Sequence, residues 1–102
     1  MSKGRSQQCI QHRNLKLAAR FYFYSSLIGL KFSVCLDHLH EEFDIKEATI
    51  TDVLADNSTI INNLERKNVS IAQLKKSFPY LNWQYNHAKR YHNTEQLLLV
   101  LS

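Results

Sequence analysis

The chain has 102 residues, 44% of them hydrophobic and 11% aromatic, with a formal net charge of +4, two cysteines, two glycines and one proline. Those values fit a single small domain with material for one core, exclude a disordered chain, and favour long helices over many short strands. No run approaches the ~18 apolar residues a membrane span requires, and no apolar run follows Lys3 and Arg5 as in a secretion signal, so the expectation is a cytoplasmic protein with no membrane partner.

In chain order, residues 1–12 are polar and lack helical periodicity, which predicts a flexible basic arm. Residues 13–28 form a long predicted helix, with Leu17, Phe21, Tyr24 and Ile28 recurring at helical spacing and Gly29 as its stop. Residues 31–43 follow as a second helix, with Phe32, Cys35, Leu36, Leu39 and Phe43 inward. Asp44 turns the chain and Ile45 follows as an apolar plug. Residues 46–55 make a third helix that buries Ile50, Val53 and Leu54 and leaves Lys46, Glu47, Thr51, Asp52 and Ala55 outward. Ser58 is placed to cap a helix over residues 59–67 with Ile60, Ile61 and Leu64 inward. Ser70 is placed to cap another, with Ile71, Leu74 and Phe78 inward and Pro79 closing it. An aromatic and then apolar tail completes the chain. The expected architecture is all-α: a tri-helical helix-turn-helix core with additional C-terminal helices, within a domain of residues 13–83 followed by a C-terminal tail or helix over 84–102.

Residues 39–54, LHEEFDIKEATITDVL, carry the spacing of a helix-turn-helix. This segment resembles the corresponding unit of DeoR-type and related bacterial regulators, in which a run like L-x-E-E-F-G-V-S-x-A-T-V-x-x-x-L recurs. Leu39, Glu41, Glu42, Phe43, Ile45, Ala48, Thr49, Ile50 and Leu54 fall on that pattern. Two positions depart from it. Asp44 replaces the corner glycine, and Asp enters left-handed backbone more readily than most residues. Lys46 replaces the serine that caps the second helix, which leaves the cap to Asp44 or to nothing. The larger frame, including the tyrosine-rich first helix and the ending F-P-Y-L-N-W, is similar to short bacterial proteins labelled transposase-like. That resemblance implies association with a mobile element and does not by itself imply DNA cleavage.

The net charge conceals strong segregation. Residues 1–36 contain six cations and no acid, residues 37–57 contain seven acids against Lys46 alone, and residues 58–102 contain six cations against Glu65 and Glu95. Affinity for duplex DNA comes mainly from cations on phosphates, while a few polar side chains read base edges. The expected base readers are therefore Lys46, Glu47, Thr51 and Asp52. The expected phosphate contacts are Lys3, Arg5, Arg13, Lys16, Arg20 and Lys31, with Lys75 and Lys76 as further cations. Double-stranded DNA is the expected partner, and a homodimer is possible. The concentration of acid in the reading unit favours a rival, a protein-interaction module that meets a basic partner or the basic N-terminus of a second copy.

Other chemistries are weaker. Phe21, Tyr22, Phe23 and Tyr24 spread around a helix and share no stacking surface, so they read as core, with Phe21 and Tyr24 on the inner stripe and Tyr22 and Phe23 pointing elsewhere. Cys9 with His12 and Cys35 with His38 have zinc-like spacing, but one pair lies in the arm and knuckle glycines are missing, so no metal is expected and the thiols are expected to stay reduced. His38 and His40 match the histidine pair of metal-dependent single-strand nicking transposases, yet on a helix they lie about 200° apart. The acids cluster on one short stretch and read as a solvated face. No cofactor or catalytic residue is assigned, and no complete catalytic domain is recognisable.

Overall fold

A computed structural model describes residues 2–85, with side chains described from residue 8 onward. All regular structure among these residues is helical: α1 (Ser2–Tyr22), a π-helical segment (Phe23–Ile28), α2 (Phe32–Phe43), α3 (Glu47–Asp56), α4 (Ser58–Arg66) and α5 (Ile71–Ser77). The all-α expectation holds. The arm does not: after Gly4 no breaker separates the N-terminal residues from the buried stripe, and the backbone runs as one helix from Ser2. Of the expected C-terminal tail, residues 86–102 lie outside the described residues.

Helix α1 is the central element. It packs against α2, α3 and α4, and an irregular strap of residues 78–85 lies along it. Leu17, Ala18 and Ala19 are buried toward its C-terminal end. Tyr22, Phe23 and Tyr24 are buried too, although successive side chains point about 100° apart. The explanation is that α1 has a neighbour on each of those sides. The Tyr22 hydroxyl donates to the Val69 carbonyl beyond α4 (2.6 Å), Phe23 meets the edge of Trp83 in the strap (5.4 Å), and Tyr24 stacks on His38 of α2 (4.8 Å). The two-stripe reading of the aromatic run is thus corrected, while the core assignment stands.

The π segment ends at Gly29, whose φ of 84° is left-handed and suits a residue without Cβ. Its N–H and that of Leu30 both reach the Tyr24 carbonyl, which closes the wide turn before α2 begins. In α2, Cys35 and Leu39 are fully buried; Leu36 and Phe43 are half-buried. Phe32, expected inward, is 52% exposed because it stands at the first position of α2, past the edge of the core, where it meets Phe21 edge-on. Helix α3 buries Ile50, Val53 and Leu54, as its spacing requires.

Capping divides the later elements. Ser70 forms a full capping box with Gln73, satisfying two backbone donors at the start of α5. Ser58 instead falls inside α4, and the preceding Asn57 turns its amide back onto the Val53 carbonyl (2.8 Å), so no side chain caps α4. Leu74 is buried, but Ile71, on the first turn of α5, is 40% exposed.

Candidate nucleic-acid interface

The corner between α2 and α3 is built as the sequence pattern requires. Asp44 adopts φ 55° and ψ 47°, and its N–H donates to the His40 carbonyl. The His40 Nδ1 donates to the Ile45 carbonyl (2.6 Å), which ties the end of α2 across the turn. The Asp44 carboxylate does not cap α3. The chain leaves the left-handed turn in extended form, Lys46 becomes the N-cap at φ −61° and ψ 144°, and no side chain accepts from the first-turn N–H groups. The start of α2 is similar, with extended Lys31 as N-cap and no side-chain acceptor. Both helix starts of this unit are therefore led by a lysine and lack a side-chain cap.

Lys46, Glu47, Thr51 and Asp52 are all exposed on α3. The Thr51 hydroxyl donates to the Glu47 carbonyl (2.9 Å), which leaves its lone pairs outward as acceptors. Asp37 and Glu41 on α2, Asp44 at the corner and Asp56 at the end of α3 are exposed as well. Among the described residues none of these acids is in an ion pair, since the one that forms joins Arg20 to Glu42.

The phosphate set is scattered. Lys31 is exposed at the start of α2. Arg13 is half-buried, with Nε and Nη2 on the Asn14 amide oxygen (3.1 and 2.9 Å). Lys16 is half-buried, its ammonium 4.8 Å from the centre of the Tyr80 ring, and His12 hydrogen-bonds the Tyr80 hydroxyl (3.0 Å). Lys3 and Arg5 fall on the first turns of α1, and their side chains lie outside those described.

Arg20 is a correction. It is 5% exposed and enclosed between α1, α2 and the strap. Its guanidinium grips Glu42 in bidentate fashion (2.6 and 2.9 Å), donates to the Tyr24 hydroxyl (2.5 Å) and to the Asn82 carbonyl, and lies 4.7–5.0 Å from the ring centres of Phe23, Tyr24 and Trp83. The Tyr24 hydroxyl in turn donates to Glu42. Burial alone would lower the Arg20 pKa, but the hydrogen bond and charge of Glu42, then Tyr24, outweigh it and the value is raised. Burial pushes the Tyr24 hydroxyl up, and Glu42 pushes it further against the opposing pull of Arg20. With its donors engaged and water excluded, Arg20 cannot hold a phosphate; it joins α1 to α2 and to the strap. Glu42 stays exposed but turns its carboxylate to Arg20 and Tyr24, unlike the other acids of its stretch.

The two histidines of α2 have structural partners. His38 stacks on Tyr24 and hydrogen-bonds the Tyr85 hydroxyl (3.0 Å), while His40 serves the corner, so the two histidines of the nicking-enzyme pattern diverge around α2. Cys9 is exposed and Cys35 buried, both free. Burial pushes the Cys35 thiol up, partly offset by a backbone hydrogen bond. Among the described residues no three His, Cys, Asp or Glu side chains converge as metal ligands, and no helix is long and apolar enough to cross a membrane. No protein-family model, curated protein or solved structure matches the chain.

Proposed function

We propose that this is a double-stranded-DNA-binding helix-turn-helix protein of the bacterial mobile-element type, a transposase-like fragment or accessory regulator working in the cytoplasm. The observation that carries the reading is the α2–α3 unit itself: a left-handed corner at Asp44, an α3 whose outer side chains are all open, and two helix starts led by Lys31 and Lys46 with no side-chain cap. Uncapped N–H groups beside a cation are the donor set that a phosphate satisfies, and in docked helix-turn-helix units helix starts face the duplex. In this reading Lys46, Glu47, Thr51 and Asp52 meet base edges. Lys3, Arg5, Arg13, Lys16 and Lys31 meet phosphates, and Arg20 is not among them.

A salt-titrated gel shift against a randomised duplex pool, with sequencing of the retained fraction, tests it. The wild-type chain enriches a sequence and loses affinity as salt rises. Arg13→Ala with Lys16→Ala weakens binding across all sequences and flattens the logarithmic salt slope by up to about 0.9 per lost phosphate contact. Thr51→Ala changes the preferred sequence instead. If both variants bind as wild type, the docking fails.

One observation favours a second reading. The exposed acids Asp37, Glu41, Asp44, Glu47, Asp52 and Asp56 lack ion-pair partners among the described residues, and a basic partner, including the N-terminal helix of a second copy, complements them. A salt-labile homodimer with no affinity for any duplex in the same titration selects this alternative.

A further inference from the structure

The strap and α1 together form a surface with a composition unlike the rest of the molecule. Residues 1–36 contain no acid, and neither do residues 66–94. The fold lays residues 78–85 along α1, so that His12 and Lys16 of α1 meet Tyr80 of the strap. The last turn of α5, which leads into the strap, adds exposed Lys75 and Lys76. Tyr80 is the most exposed of the large hydrophobic side chains described, at 58%. It is nevertheless held in place: Lys16 lies over its ring, His12 engages its hydroxyl and Phe78 meets it edge-on at 6.5 Å. An exposed aromatic ring held beside a lysine ammonium has the elements of a base-stacking platform flanked by a phosphate contact.

We infer that Tyr80, with Lys16, forms a binding site for a single DNA strand, in which the Tyr80 ring stacks an unpaired base and the Lys16 ammonium holds an adjoining phosphate. The inference rests on the reading of this protein as DNA-binding, but it uses none of the α3 residues. It fits a single strand better than a duplex because the bases of a duplex are stacked on one another and offer no free face to a side chain.

The test is fluorescence anisotropy of the full chain with labelled oligo-dT, an oligo-rU of equal length and a duplex. Wild type is expected to bind oligo-dT at least as tightly as oligo-rU. Tyr80→Ala is expected to weaken oligo-dT binding by about 5- to 150-fold, the range for loss of one stacked base. Tyr80→Phe keeps the ring and is expected to stay near wild type. Lys16→Gln is expected to reduce the salt slope by about 0.7, as for one phosphate contact on a single strand. A Tyr80→Ala protein that melts as wild type and binds oligo-dT within twofold of it overturns the site, and tighter binding of oligo-rU overturns the assignment to DNA. The duplex arm separates this inference from the helix-turn-helix reading. Sensitivity of duplex preference to Thr51→Ala, with oligo-dT binding indifferent to Tyr80→Ala, removes the strand site and keeps the reader. The reverse pattern keeps the strand site and removes the reader.

Discussion

The α2–α3 corner and the seam between α1 and the strap use charge in opposite ways. At the corner, apolar packing of Leu39, Ile50, Val53 and Leu54 supplies the cohesion, and the charged side chains stand outside in water. At the seam, a cation is enclosed: Arg20 and Glu42 pair beneath Tyr24 and Trp83, and the strap is fastened through the Asn82 carbonyl. A corner held by apolar contacts tolerates changes on its outer face, which leaves that face open to be shaped by a ligand. A seam held through the enclosed Arg20 tolerates fewer, because removal of Glu42 leaves the guanidinium buried without its carboxylate. Arg20 is thus committed to the fold, whereas Lys31 and Lys46 at the corner stand open to a ligand.

The largest expected effect comes from breaking the seam. Arg20→Ala should cost about 3 kcal/mol, the lower end for a broken buried pair, because the Glu42 side chain is 31% exposed and can regain water. Urea unfolding measures it, and the emission of the chain's single tryptophan, Trp83, should shift to the red as the strap loosens. An equal loss from Lys31→Ala at the edge of the α2–α3 unit would erase the contrast.

The seam should also respond to alkali. The hydroxyl of Tyr24 ionises near 10.0 in the unfolded chain and higher in the fold, so its contribution is complete below pH 10 and declines as pH rises from there toward the folded value. Denaturation midpoints above pH 10 should fall more steeply for the wild type than for Tyr24→Phe. Parallel pH profiles for the two would mean that this hydroxyl is not held as described.

Smaller effects sharpen the comparison elsewhere. Gly29→Ala should cost about 1–2 kcal/mol by thermal melting: nothing lies within 4 Å of the added methyl group, so the penalty is that of left-handed backbone alone. Lys46→Ser should stabilise the free protein by about 0.5–1 kcal/mol by capping α3, while weakening duplex binding by loss of a cation at the same place. A gain in stability with unchanged DNA affinity would separate the uncapped start of α3 from function.

The corner was the most legible part of the chain because its signals are local. Leu39, Ile50, Val53 and Leu54 keep helical spacing, and Asp44 is a residue type that enters a left-handed turn readily. Arg20 was not legible, since a cation four residues from Tyr24 on an amphipathic helix has the same pattern whether it faces water or a distant glutamate. Glu42 and Asn82, which decide the matter, are remote in sequence. The same holds for Tyr80, whose contacts with His12 and Lys16 depend on where the strap lies. Ser58 shows the limit of a local cap signal: the hydroxyl was one position too late, and Asn57 took the boundary while directing its amide backwards.

The most direct test of the central claim is the set of backbone amide chemical shifts of the isotope-labelled chain as a selected duplex is added. The largest changes are expected on Lys31, on Lys46 through Asp52 and on Arg13 and Lys16, while the amides of Arg20 and Glu42 stay in place. Saturable binding that leaves Lys46 through Asp52 unmoved would contradict it.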